Sequence, residues 1–201
     1  MKKKSSMTTK KFFDLMRIRN ARNAAAVDAR IHKACAAELT VVSCDSSGFS
    51  RKTHEHGIIE FMDNMTKCHD GLERIVARHG GITLSDKADN LMLIFPEPVK
   101  AVACGIDMHR WLKKRNVGLP EHKKYNICVG VHHGSLLRFA DDAYGPAVNV
   151  SFKLGEDIAG KDDLLVTGQV NEMLKKKFRT DYSKHVTIGG ASFDVYKVKY
   201  R

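Results

Sequence analysis

Long apolar runs are missing from the chain. No stretch of its 201 residues approaches the roughly 20 that a membrane-spanning helix needs. The opening Met1-Lys-Lys-Lys-Ser-Ser6 leads into no apolar h-region, so no secretory signal is read and a cytoplasmic location is expected. Cysteines are few and poorly placed to act together. The five (Cys35, Cys44, Cys68, Cys104, Cys128) form no C-x-x-C pair and are odd in number. Zinc sites and a disulfide framework both lose support, and a reducing compartment is the simplest expectation. Gly80-Gly81 is not followed by Lys and Ser/Thr at the spacing of a phosphate-binding P-loop. No internal repeat or low-complexity tract is present.

What the chain has is charge. Its 34 Lys+Arg against 23 Asp+Glu leave +11, which invites a nucleic-acid function. Position corrects that impression. Residues 1–37 hold ten Lys/Arg and two Asp, a balance of +8, and residues 38–201 hold 24 against 21, leaving +3. The basicity belongs mostly to an N-terminal segment, and no stable nucleic-acid complex is expected. Hydrophobic residues at 43% and charged residues at 28% are globular values, so the rest should bury a core.

Two parts follow: a basic helical segment over 1–37 and a body over 38–201. From Phe12 to Ala37 the segment is Ala-rich and free of Gly and Pro, and it predicts one amphipathic helix. It could pack on the body, link a dimer, or touch a membrane surface or nucleic acid. The body opens with the apolar strand Leu39–Cys44, a polar loop over 46–50, and a helix over 57–78 stopped by Gly80-Gly81. Strands over 82–85 and 91–95 flank a tight turn, and a helix spans 99–115. A strand over 125–131, a turn at His132-His133-Gly134 and a strand over 135–139 come next. A helix to about 158, a strand over 164–167, a helix over 170–178 and a terminal hairpin close the chain. Helices interleaved with hairpins imply an α+β sandwich with a mostly antiparallel sheet, preceded by an N-terminal helix.

Two aspartates carry the chemistry. Asp45 directly follows a buried strand, and Asp89 sits in the turn between two strands. Carboxylates there are costly unless solvated, paired or metal-bound, and two that converge suit divalent cations. Each alone is an ordinary turn residue. His54 and His56, flanking Glu55, read as surface residues of a polar loop, and His132-His133 as turn residues. Met62 and Met65 read as core, and Lys175-Lys-Lys177 as a solvated helix end.

Four segments give the pair its context: Val41-Val-Ser-Cys-Asp-Ser-Ser-Gly-Phe-Ser50, Arg78 through Phe95, Ile127-Cys-Val-Gly-Val-His-His-Gly134 and Asp142-Ala-Tyr-Gly-Pro-Ala-Val-Asn-Val-Ser-Phe-Lys-Leu154. In order and register they resemble the catalytic domain of class III nucleotidyl cyclases, the adenylyl and guanylyl cyclases. The resemblance spans about 39–200. It implies a ferredoxin-like core and a head-to-tail homodimer with active sites between protomers. Asp45 and Asp89 would hold two Mg²⁺ or Mn²⁺ ions, and Ser46, Ser47, Gly48 and Phe49 would admit the triphosphate. Asn149 would position ribose and α-phosphate, and Asp142 would accept from the adenine amino group. The implied reaction turns a nucleoside triphosphate, first of all ATP, into its 3′,5′-cyclic monophosphate and pyrophosphate.

Departures from the pattern are informative. Lys153 stands where the family has arginine, which keeps the charge and loses the bidentate fork. Ser85 stands where a lysine reads adenine. Lys87 lies two residues on, on the same strand face, and serves either as a displaced base reader or as a charge balance in the turn. The polyphosphate lysine expected near Gly189-Gly190 is missing, with Lys184 or a loop residue, Arg138, as substitutes. GTP or a pyrimidine triphosphate therefore stays open as substrate. A nucleotide-binding or dimerising homologue without activity is the alternative. Only the helical segment precedes the body, so control through dimerisation is one expectation and a piece of a larger protein the other.

Overall fold

The computed structural model describes residues 7–200. Two helices open it, α1 (Thr9–Ile18) and α2 (Ala24–Cys35), where the sequence predicts one. Polar side chains cause the break: Asn23 Nδ2 donates to the Ile18 carbonyl at 2.8 Å, and Arg19 crosses to Asp28 at 2.7 Å. Such local side-chain bonds compete with the helical ladder. Leu15, Val27, Ile31 and Cys35 bury against Phe139, so both helices pack on the body.

The strands are β1 (Ala36–Ser46), β2 (Ile82–Lys87), β3 (Asn90–Phe95), β4 (Ile127–Arg138), β5 (Ala143–Tyr144), β6 (Leu164–Thr167), β7 (Thr180–Ile188) and β8 (Ala191–Val198). They form one sheet in the order β2-β3-β1-β4-β6-β8-β7, with β5 beside β4. β4 and β6 pair in parallel, and every other pairing described is antiparallel. The intervening helices are α3 (Phe49–His56), α4 (Ile58–Arg78), α5 (Pro98–Arg115), α6 (Pro146–Phe152), which continues as a π turn over Lys153–Ile158, and α7 (Gly168–Met173).

Alternation decides which side chains meet which helix. Val42 and Cys44 of β1, with Leu91, Leu93 and Phe95 of β3, pack with Leu72 and Ile75 of α4 and Met108 of α5. Val41, Met92 and Ile94 point the other way and pack with Ala147 of α6. With both faces covered, these strands read as continuous apolar runs. Burying each aliphatic side chain contributes about 1.5–3 kcal/mol. No helix among the described residues is long and apolar enough to cross a membrane.

Three local expectations are corrected. His132-His133-Gly134 is no turn, because β4 runs unbroken through it for 12 residues, paired with β1 at Val41↔His132 and Thr40↔His133. Both histidines are buried and find hydroxyl partners inside the fold, His132 at Thr167 and His133 at Thr40, each at 2.9 Å. Arg138 closes β4 and is buried, so it is not a loop residue. His54, Glu55 and His56 lie on α3, which starts within the segment read as a loop.

Candidate active site

The pairing of β1 with β3 runs from Thr40↔Phe95 to Cys44↔Leu91. One further step along that register brings Asp45 opposite Asn90, so the β2–β3 turn carrying Asp89 folds over the end of β1. Ser46 fixes it there, its Oγ donating to Asp89 Oδ2 at 2.8 Å. The Asp45 carboxyl is pushed up to about 7, first by burial and then by the charges of Asp89 and Glu156. No cation is among the main groups acting on it in the described residues. Two carboxylates brought together in a half-buried site lack positive charge.

Among the described residues no group of three or more His, Cys, Asp or Glu forms a ready metal cage. Mg²⁺ is commonly held by one or two carboxylates, with water and substrate phosphates completing its shell. The Asp45–Asp89 pair therefore fits Mg²⁺ or Mn²⁺ arriving with a polyphosphate. Glu156, which adds to this negative field, was missed in the sequence. It belongs to the π turn after α6, and an α-helical reading of that stretch does not single it out.

Beyond Ser46 the loop is pinned at both ends. The Ser47 N–H donates to the Asn126 carbonyl at 2.9 Å, and Gly48 takes φ +85°, which favours glycine. The Gly48 carbonyl accepts from Lys52 N–H as α3 begins. Phe49 packs its ring edge-on against Phe61 at 5.0 Å. Ser46 is buried and Phe49 half-buried, while Gly48 stays exposed.

A second set of polar contacts supports the β2–β3 turn from behind. His69 of α4 is buried; its Nδ1 lies 3.0 Å from Asp86 on β2, and its Nε2 lies 3.0 Å from the Tyr125 hydroxyl. A carboxylate only accepts, so Nδ1 carries the proton, and in the neutral ring Nε2 accepts from the phenol. Asn116 holds Tyr125 in turn, giving to its carbonyl at 2.8 Å and accepting from its N–H at 3.1 Å. Nothing in the sequence distinguishes His69 among ten histidines.

The remaining predicted residues form a separate group. Lys87 and Asp142 meet at 3.1 Å, although 55 positions apart, with Lys87 74% exposed and Asp142 13%. Ser85 lies half-buried on β2, just past a register shift between Thr83 and Ser85. Asn149 and Lys153 are exposed along one side of α6 and its π turn, and Lys153 is ion-paired with Asp157. The opposite side is locked to the sheet. Ser151 Oγ accepts from Ser43 N–H at 3.0 Å and lies within 3.1 Å of the Val41 and Gly130 carbonyls. Any Cβ at Gly130 would stand 2.3 Å from the Ser151 carbonyl oxygen, so only glycine lets α6 approach β4 this closely. Lys184 sits exposed in the middle of edge strand β7. Among the described residues, no hydrogen bond or ion pair joins the Asp45–Asp89 pair to Lys87, Asp142 or Asn149.

Known proteins share this architecture. The adenylyl cyclase CyaB from P. aeruginosa superposes with a TM-score of 0.72 at 20% identity, covering 82% of this chain and 94% of that one. The guanylyl cyclase Cya2 gives 0.72 at 17% identity, covering 81% and 92%. The guanylate cyclase domain of RhGC from Catenaria anguillulae, solved with GTP, gives 0.69 at 18%, covering 82% and 97%. The fold is therefore that of the class III nucleotidyl cyclase catalytic domain, in a divergent sequence. No protein-family model matches the chain. In sequence, 138 residues are 31% identical to a Myxococcus xanthus protein named serine/threonine-protein kinase pkn2. That match takes in 66% of this chain and 16% of the relative, so the chain spans a small part of the relative's length.

Proposed function

We propose that the chain is a nucleotidyl cyclase acting on ATP in preference to other nucleoside triphosphates. The observation that carries this is the convergence of Asp45 and Asp89 at the end of β1, where among the described residues neither carboxylate is ion-paired with a cation. In the reaction, the ribose 3′-oxygen attacks the α-phosphorus and pyrophosphate leaves. Asp45 and Asp89 would hold Mg²⁺ or Mn²⁺, two ions by the family resemblance, and the metal would supply Lewis-acid activation of the 3′-hydroxyl and neutralise charge on the phosphates. Ser47 and Gly48 present the loop to the triphosphate, while Ser46 keeps Asp89 in place. Asn149 orients the ribose, and Lys153 brings a point charge toward the α-phosphate once it leaves Asp157.

The Lys87–Asp142 bridge supports adenine as the base. It sets a donor beside an acceptor, matching the N1 acceptor and the 6-amino donor of adenine. A guanine 6-oxo group facing Asp142 would set acceptor against acceptor. With no hydrogen bond or ion pair joining this pair to the carboxylates among the described residues, the site is completed by a second copy in a head-to-tail homodimer. One observation favours a second reading, a catalytically weak nucleotide-binding module: the only cation at the family's arginine position is already paired with Asp157.

Incubation with each of the four NTPs and Mn²⁺ or Mg²⁺, with products identified by mass spectrometry, tests the proposal. Cyclic AMP dominant is the expected result; no cyclic product at any protein concentration would leave the second reading. Sedimentation should show dimers or a monomer–dimer equilibrium.

A further inference from the structure

A cavity of about 250 Å³ opens between α3, α4 and the segment that leads from α5 to β4, and none of the proposed active-site residues lines it. Its walls carry four cations, Lys52, Lys67, Arg115 and Lys123, against two carboxylates, Glu60 and Asp63. Both carboxylates are engaged. Asp63 pairs with Lys67 at 2.7 Å, and Glu60 lies 3.9 Å from His122, whose ring is tilted against that of His56 with centroids 4.7 Å apart.

The other two cations that matter have neutral partners alone. Lys52 is 5% exposed, and its ammonium donates to the Lys124 carbonyl. Arg115 gives to the Asn64 side-chain oxygen and, at 3.4 Å, to the Lys123 carbonyl. An ammonium has three donors and a guanidinium five, so most of this capacity is unspent. Burial and the charge of Lys161 outweigh the attraction of Glu121 and disfavour the charged Lys52, so a charged acceptor entering the cavity would offset that cost. Arginine's planar fork and the lysine point charge together match the several oxygens of a phosphate group. The volume falls below the 300–1,000 Å³ typical of drug-sized ligands, which limits the guest to a small molecule.

We propose that this cavity is a second binding site, for a small phosphate-bearing anion, built by Lys52 and Arg115. The site does not depend on the cyclase proposal. It does touch the same loop, because Lys52 follows Gly48 by one helical turn and its backbone N–H donates to the Gly48 carbonyl.

The test is calorimetric titration of the full chain with inorganic pyrophosphate in EDTA, where any metal-dependent binding at Asp45 and Asp89 is silent. Saturable binding is expected, weakened at least about tenfold in Arg115→Gln and in Lys52→Met. Asp89→Asn should bind as the parent does. Lys52→Met removes a buried group, so the half-exposed Arg115→Gln decides if that variant misfolds. Three results overturn the proposal: no saturable binding, equal binding by Arg115→Gln, or loss in Asp89→Asn as well. A lipid headgroup offers the same phosphate chemistry. Arg115-dependent co-sedimentation with phosphatidylglycerol vesicles, without pyrophosphate binding, would overturn the small-anion assignment.

Discussion

Two charged pairs stand at neighbouring strand ends and are built on opposite principles. Asp45 and Asp89 are like charges pressed together, half-buried, and held by neutral donors such as Ser46. Lys87 and Asp142 are opposite charges that satisfy one another at a surface where Lys87 is 74% exposed. The first pair is incomplete without added positive charge and sits on a supported frame. The second is complete by itself and easily displaced. A catalytic centre needs strain of the first kind, whereas a recognition element needs groups that a ligand can take over cheaply.

Removing the first pair should have the largest effect. Asp45→Asn and Asp89→Asn each forfeit several kcal/mol of charge stabilisation, on the order of 10³-fold in cyclisation rate. Thermal melts in EDTA should meanwhile show no loss of stability for Asp45→Asn, because the substitution removes a repulsion. A variant that lost stability and kept activity would reverse the comparison.

These two aspartates were legible in the sequence because each sits where pattern and turn chemistry agree. Asp45 ends an apolar run and Asp89 lies between two. Their meeting then follows from one strand pairing. Helix α3 was not legible, since Phe49–His56 is polar and carries no apolar stripe. His132 and His133 look like turn residues until Thr167 and Thr40 arrive from other strands to bond them. The Lys87–Asp142 bridge joins residues 55 apart and depends on where β5 leaves β4. Glu156 comes with a π turn that no periodicity announces.

The frame behind the first pair gives the next effect. His69→Ala leaves the Tyr125 hydroxyl buried without its partner, at a cost of about 2 kcal/mol. For a chain of this length that is roughly 6 °C in melting temperature. Activity should fall too, with a weaker apparent affinity for Mn²⁺, because Asp86 and the turn bearing Asp89 lose their anchor. An unchanged Mn²⁺ dependence would show that His69 supports the fold alone.

Acid should reach the first pair near pH 7, where Asp45 takes a proton and the repulsion is relieved, and the shared sheet below that. Burial, with His133 adding to it, holds the His132 imidazole down at about 4. Below the unfolded value near 6.5 the unfolded chain binds a proton that the native chain refuses, so stability declines as pH drops from 6.5 toward 4. The full loss is about 3 kcal/mol. Protonation of Asp45 in the native chain works in the opposite direction over the same range, so urea unfolding midpoints between pH 7 and 4.5 are measured in Asp45→Asn, where a flat profile would remove His132 as the cause. Replacement by Gln should flatten that part of the profile while lowering stability at pH 7, where the Thr167 contact is strained or lost.

The smallest effect on stability belongs to the second pair. Lys87→Ala should change the unfolding free energy by no more than about 0.5 kcal/mol, since an exposed ion pair contributes little. Its consequence should appear in base choice. Without the lysine, the ATP-to-GTP ratio of kcat/KM should fall about tenfold, equal to about 1.4 kcal/mol of discrimination. Asp142→Asn should lower it as well, because an amide no longer rejects the guanine oxygen. The double substitution should add little to either single one if the two groups read the base as a unit. If instead Lys87 only balances the charges of its turn, the ratio stays where it was while both single variants remain folded and active. The recognition role would then have to pass to other residues, and the contrast between a strained pair and a self-satisfied one would hold for stability alone.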